Sequence, residues 1–219
     1  FKRAGVSSVV MCGNITKTRM YDGWGGWSLL PDIRTAKLWF RKLRSHEDHT
    51  VLEAVADEFE SEGITVESSV LYCPELLVRE GCLTRREPDD DQWSDIRFGW
   101  PMVKQIAAMQ IGQSIVVKDG TVVAVEGIDG TDATLRRGGE LCGGDAVAIK
   151  VAKEGHDERF DIPCVGPETV KAMADGGVAV LAMEADNTLL LEREKTIEKA
   201  NREGVCLVAV DMSTEPEEE

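Results

Sequence analysis

The chain has no apolar run long enough to span a bilayer and no stretch with the make-up of a secretory signal. It also lacks positive charge in excess: forty acidic residues face twenty-five basic ones, a balance of −15, which argues against phosphate-backbone binding as its main task. Its six cysteines (Cys12, Cys73, Cys82, Cys142, Cys164, Cys206) include no CxxC pair and read as reduced thiols of a cytoplasmic protein, packed in or beside strands. Internal repeats are absent, and the one low-complexity segment is the acidic end, residues 215–219. What is there is ordinary for a globular chain: 219 residues, 42% hydrophobic and 30% charged, enough for one large domain or two small ones with a real core. The chain opens at Phe1 without a Met and runs almost at once into a strand, so its true N-terminus is expected to be missing.

Short apolar runs alternate with amphipathic stretches throughout. Residues 7–12 (SSVVMC) read as a buried strand ending in a Gly13-Asn14 turn, and strand ends in α/β folds face ligands, which makes Gly13 a site candidate beside the plain reading of a turn. Helices are expected over residues 36–44 and 49–62, the latter ended by Gly63, and a strand over 64–71. The polar, acidic stretch TRREPDDDQWSD (residues 84–95) reads as a linker, with a helix capped by Ser94 or Asp95 beyond it, kinked or broken at Pro101. Later runs (SIVV, TVVAV, DAVAIKV, GVAVLAM, VCLVAV) read as strands, with helices after Gly166 and over REKTIEKANREG. The expected class is therefore α/β: two α/β lobes with mixed or parallel sheets joined by a linker. The expected boundaries are a Rossmann-like but incomplete N-terminal lobe over 1–84, a linker over 85–97, a C-terminal α/β catalytic lobe over 98–212 and a disordered acidic tail over 213–219.

The chemistry concentrates between residues 114 and 165. Lys118-Asp119-Gly120 between two strand-like runs signals a tight hairpin, whose second strand delivers Glu126 to the glycine-punctuated segment GIDGTDATLRR. Glu126, Asp129 and Asp132 fall three apart, and Gly130 with Thr131 or Asp132 is placed to start a short helix, DATLRR. Free N–H groups at such a start attract phosphate, while the acids beside them repel it unless a cation intervenes, which is the physical case for Mg²⁺. The bland reading of Asp132 is a simple cap. Lys150 lies in the middle of a run apolar on both faces, so its ammonium needs an anionic partner, either a substrate phosphate or a structural carboxylate. Lys153 stands at the end of that run. His156 and Arg159 lie on the following loop, and Asp161 precedes Ile162-Pro163, a stiff segment suited to holding a carboxylate in place.

The segments FKRAGVSSVVMCGN, DHTVLEAVADEFESEGITV with PELL and LTRREP after it, IGQSIVVKDGTVVAVEGIDGTDATLRR and KVAKEGHDERFDIPCVGPETV together resemble a known family. It is the bacterial UDP-2,3-diacylglucosamine pyrophosphatase family of lipid A biosynthesis, distinct from the calcineurin-like phosphoesterases that catalyse the same step. The resemblance covers nearly the whole chain, residues 1–210. It implies hydrolysis of UDP-2,3-diacylglucosamine to UMP and 2,3-diacylglucosamine 1-phosphate, a Mg²⁺ cofactor, two α/β lobes and a cytoplasmic location compatible with contact at the inner membrane face and with a homodimer. Carried onto matching residues, it makes Asp161 and Asp132 the leading catalytic and metal-binding carboxylates, with Glu126 and Asp129 behind them as metal ligands. Gly13, Gly130, Thr131, Lys150, Lys153 and Arg159 become substrate contacts. Thr134 stands where relatives carry methionine, the YDGWGGWSLLPD loop is unusually aromatic, and a Gly-rich block that opens relatives is expected to be missing. The alternative from another class is a non-catalytic module binding a nucleotide or an acylated sugar.

Overall fold

The computed structural model describes residues 1–13, 48–153, 157–159 and 162–212. The chain divides into two compact units, the first from Phe1–Tyr72 with Asp157–Asp161, the second from Cys73–His156 with Ile162–Glu219. In the first, β1 (Ser8–Val10) runs parallel to β2 (Thr65–Glu67), and α1 (Asp48–Ser61) precedes β2. Gly63, at φ 75°, makes the sharp turn between them that other residues adopt only with strain. Phe59 of α1 meets Phe1 edge to face at a centroid separation of 5.8 Å. The strand expected over 64–71 is shorter than its alternation suggested, because Ser68 caps a 3-10 turn over Ser69–Leu71 through a bond from the Val70 N–H.

The second unit is built on a six-stranded sheet in the order β3-β10-β8-β6-β4-β5. Its strands are β3 (Gly81–Cys82), β4 (Ser114–Lys118), β5 (Thr121–Val125), β6 (Ala146–Lys150), β8 (Val178–Glu184) and β10 (Cys206–Val210). β6, β8 and β10 are parallel, while β3, β4 and β5 are antiparallel to their neighbours. A small parallel pair, β7 (Cys164–Val165) and β9 (Leu189–Leu190), lies outside this sheet. The expected α/β class with mixed and parallel sheets is thus the class adopted.

Period-two alternation sorts the sheet into two cores. Ile115, Val117, Val147 and Ile149 face α2 (Asp90–Ala108), joining Ile96, Trp100 and Val103. Val116, Ala146 and Ala148 face the other way, joining Leu135 of α3 (Thr131–Cys142), Val170 and Met173 of α4 (Pro167–Gly176), and Ala200 of α5 (Arg193–Glu203). The same parity carries Ser114 and Lys150 to the α3 side, which positions the candidate site. α3 and α4 meet through glycine: a Cβ on Gly139 would stand 2.0 Å from the Gly176 carbonyl oxygen.

Four sequence expectations change here. The stretch read as a linker, residues 85–97, holds the start of α2, because Asp89 and Gln92 form a reciprocal capping box (Asp89 Oδ1 accepts the Gln92 N–H at 2.9 Å). Asp95 is therefore not a cap; it is buried and accepts the N–H groups of Asp119 and Gly120 at 3.0 and 2.7 Å, holding the hairpin turn from below. The helix is also continuous through Pro101, so the break expected there as one alternative does not occur. α3 is longer than DATLRR, running through Gly138 and Gly139 to Cys142, since close packing on Val116 and Gly176 outweighs the roughly 1 kcal/mol that each helical glycine costs.

Candidate functional site

β4 starts and β6 ends at the same edge of the sheet, because the two strands are antiparallel and Ser114 is the register partner of Lys150. β5 ends there too, and Glu126 follows it. Gly112 lets the chain pass close by: a Cβ there would lie 2.2 Å from the Glu126 carbonyl oxygen. The turn after Glu126 closes with the Gly130 N–H on the Gly127 carbonyl at 3.2 Å, and Asp129 accepts the Gly127 N–H at 3.1 Å. Gly130, at φ 80° and ψ 170°, then opens α3 in a backbone geometry available chiefly to glycine. Thr131 and Asp132 are thus the first two helical residues, not caps. The first intrahelical bond near them is the Thr134 N–H on the Gly130 carbonyl at 3.2 Å, so the N–H groups of residues 131–133 have no acceptor within the helix.

Lys150 is only 5% exposed. Its ammonium donates to Thr131 Oγ1 at 2.7 Å and forms no ion pair among the described residues. The expected anionic partner is replaced by a relay. Thr131 Oγ1 donates to Glu126 Oε1 at 3.0 Å, and Glu126 Oε2 accepts Ser114 Oγ at 2.5 Å and the Gln113 N–H at 3.2 Å. A buried ammonium held only through a hydroxyl keeps two N–H bonds for a ligand. This cluster lies at the carboxyl end of a parallel strand, where α/β sheets receive ligands.

The carboxylates read as a metal set do not converge among the described residues. Glu126 has both oxygens engaged as above. Asp129 pairs with Arg137 Nη2 at 3.1 Å; partial burial pushes its carboxyl up, but the Gly127 N–H and the Arg137 guanidinium outweigh this and hold it below the ordinary range. Asp132 is partly buried, its main-chain carbonyl accepts from Arg136, and its carboxylate joins no ion pair among the described residues. No group of three His, Cys, Asp or Glu side chains among those residues could hold a metal ion. One carboxylate with waters and phosphate oxygens is still a donor set that Mg²⁺ accepts, and Asp132 fits that role where Glu126 and Asp129 do not.

Lys153 is partly buried just beyond β6. Gly13 is exposed after β1 in the first unit, and Arg159, also in that unit, is held by Asp157 at 2.5 Å and by Glu60 at 2.5 Å. His156 and Asp161 lie outside the described residues. Sequence reading missed Ser114 and Gln113, and also Glu184, which ends β8, pairs with Lys104 at 2.9 Å and accepts the Ala152 N–H at 2.8 Å, tying down the chain beyond Lys150. A signal for Ser114 existed: strand parity with Lys150 follows once the hairpin is paired.

The second unit is thus an α/β sheet domain with a candidate anion site at a helix start beside a buried lysine. Family models described as "LpxI N-terminal domain" and "LpxI C-terminal domain" match residues 1–76 and 79–208. The chain belongs to the LpxI family. It is 31% identical over 222 residues to the Caulobacter vibrioides protein named UDP-2,3-diacylglucosamine pyrophosphatase LpxI, covering 97% of this chain and 77% of that one. It is also 25% identical over 130 residues to the bifunctional purine biosynthesis protein PurH of Bacillus subtilis, across 57% of this chain and 22% of that protein. The PurH of Anoxybacillus flavithermus is 24% identical over 131 residues, across 58% and 22%.

Proposed function

We propose that this chain hydrolyses the pyrophosphate bond of UDP-2,3-diacylglucosamine, releasing UMP and 2,3-diacylglucosamine 1-phosphate. The observation that carries the reading is the likeness to the Caulobacter LpxI along 97% of the chain, with both halves of the family matched in order. Physical support comes from the second unit. An acidic protein of net charge −15 that takes an anionic substrate must neutralise it locally, and Lys150 with the first N–H groups of α3 supplies positive potential at one point.

In this reading the substrate's phosphates lie against the Lys150 ammonium and the start of α3, with Gly130 giving the main chain room to approach. A water oxygen attacks one phosphorus, the P–O bond to the bridging oxygen breaks, and the water's protons are shared between solvent and the two phosphate products. Lys150 balances charge gathering on the non-bridging oxygens, and Asp132 and Asp161 orient the attacking water or the cofactor. Mg²⁺, for which Asp132 and Asp161 are proposed as ligands on the strength of the family resemblance, would supply Lewis-acid neutralisation of that charge. Lys153, Arg159 and Gly13 are proposed as further substrate contacts on the strength of the family resemblance.

No helix among the described residues is long and apolar enough to cross a membrane. A diacylated substrate resides in a lipid leaflet, so we place the reaction in the cytoplasm, with uptake at the inner membrane face. The test is UMP release from UDP-2,3-diacylglucosamine with and without Mg²⁺, in wild type, Asp132→Ala and Asp161→Ala. The reading expects Mg²⁺-dependent turnover that either substitution lowers by about two orders of magnitude or more. Tight binding of the nucleotide sugar without any turnover would favour a binding module instead.

A further inference from the structure

We propose that Glu126, fixed by Ser114 and Gln113, acts through the Thr131 hydroxyl as a positioning residue for Lys150, and is not a metal ligand. The inference rests on the reading of Lys150 as a phosphate contact. Its basis is the direction in which the relay must run. An ammonium only donates and a carboxylate only accepts, so the single Thr131 hydroxyl hydrogen has to point at Glu126 Oε1, 3.0 Å away. That leaves a hydroxyl lone pair for Lys150 Nζ at 2.7 Å. No other assignment of hydrogens satisfies both contacts, so the hydroxyl is locked in rotation and the ammonium is locked to it.

The anchor itself is rigid. Glu126 takes donors on both oxygens, from Ser114 Oγ and the Gln113 N–H on Oε2 and from Thr131 on Oε1. Ser114 is fully buried and sits opposite Lys150 across the β4–β6 pair, so the carboxylate is tied to the strand that flanks the lysine. Gly112 is what allows this, since any side chain there would collide with the Glu126 main chain. Four elements meet in the relay: the start of β4, the end of β5, the start of α3 and the end of β6.

The consequence is preorganisation. A lysine stem has four rotatable bonds, and an unfixed ammonium surrenders that freedom when it meets an anion. Here that freedom is removed beforehand, and the ammonium is registered to the same residue, Thr131, whose N–H opens the helix. A phosphate held by both would meet donors already in place. With donors on both Glu126 oxygens, Asp132, whose carboxylate joins no ion pair among the described residues, is the loop's more open carboxylate.

The experiment uses the full chain with Mg²⁺ present, calorimetric titration of UDP, and steady-state UMP release from UDP-2,3-diacylglucosamine. Thr131→Val keeps the shape and removes the hydroxyl; Thr131→Ser keeps the hydroxyl. Lys150→Met should weaken UDP about tenfold or more, Thr131→Val and Glu126→Gln roughly fivefold, and Thr131→Ser should restore affinity to within about twofold of wild type. In turnover, Thr131→Val should lower kcat about tenfold or more with KM changed less, because a fixed charge matters most where charge develops. Ser114→Ala, which leaves α3 untouched, should give a smaller loss in the same direction and covers the case in which Thr131→Val folds poorly. Wild-type affinity and kcat in Thr131→Val and Ser114→Ala, beside a defective Lys150→Met, would overturn the positioning role while leaving Lys150 as a phosphate contact. A Lys150→Met protein that binds UDP normally would overturn both.

Discussion

Neutralising Glu126 should destabilise the second unit far more than removing the lysine it serves. Glu126→Gln preserves shape and one acceptor but leaves the Lys150 ammonium, 5% exposed, with no carboxylate in its relay. Stripping one partner from a directly bonded buried ion pair costs roughly 3–5 kcal/mol. The contact here passes through Thr131 and Glu126 is only partly buried, so the expected loss is about 2–3 kcal/mol, or ~4–12 °C in Tm for a chain of this size. Lys150→Met leaves a carboxylate still served by Ser114, Gln113 and Thr131, and the apolar stem is kept, so its cost should stay within about 1 kcal/mol. The double variant should then be more stable than Glu126→Gln alone, with a coupling of at least ~1 kcal/mol. Urea denaturation of the four proteins measures this cycle. Two single losses of equal size that add to within about 0.5 kcal/mol would refute the idea that Lys150's charge depends on Glu126.

Three further outcomes follow from the packing and caps. Gly139→Ala should cost about 3 kcal/mol or more by thermal melting, because its Cβ would lie 2.0 Å from a main-chain oxygen of Gly176 that cannot swing away; a loss under ~1 kcal/mol would contradict the α3–α4 contact. Asp89→Ala should cost about 1 kcal/mol and Asp89→Asn much less, since the capping box needs an acceptor and not a charge; equal losses would point elsewhere. Partial burial pushes the Asp145 carboxyl up, but Lys118 and Arg86 beside it more than reverse this and leave it below the ordinary range. A depressed carboxyl stabilises the fold above its unfolded value, near 3.9, and loses that contribution as pH falls through its folded value. Asp145→Asn, which also tolerates the local φ of 52°, should therefore be less stable than wild type at pH 7, by no more than ~1 kcal/mol because solvent screens a side chain that is 60% exposed, and the gap should begin to close as pH falls below about 4 and vanish below the folded value; a constant gap down to pH 2 would exclude the ionic origin.

The parts of this account that were legible in the sequence are those governed by short-range chemistry. Asp119-Gly120 between strand-like runs gives the β4–β5 hairpin directly, and β6 and β8, apolar on both faces up to their last residue, announce strands covered on both sides. The start of α2 was less visible: three consecutive aspartates look like solvated linker, and only the Gln92 partner three residues after Asp89 turns them into a helix start. Gly138-Gly139 looked like the end of α3 for the same reason, because propensity says nothing of a facing Gly176 thirty-seven residues away. The partner of Lys150 was illegible in principle. Burial of the lysine follows from its strand, but Thr131 and Ser114 reach it only through pairing of β4 with β6 and the placement of α3. Spacing sets Glu126, Asp129 and Asp132 three apart without telling their tasks apart; the local turn does, with Glu126 anchoring Thr131, Asp129 bonding Gly127 and Arg137, and Asp132 standing in the first turn of α3.

The measurement that bears most directly on the central claim is release of UMP from purified UDP-2,3-diacylglucosamine by the wild-type chain, followed beside Lys150→Met and Asp132→Ala at matched Mg²⁺. The account predicts turnover to UMP and the acylated sugar 1-phosphate in wild type, with loss of about two orders of magnitude in each variant while both remain folded. Absence of UMP from the wild type, or full turnover in both variants, would contradict it.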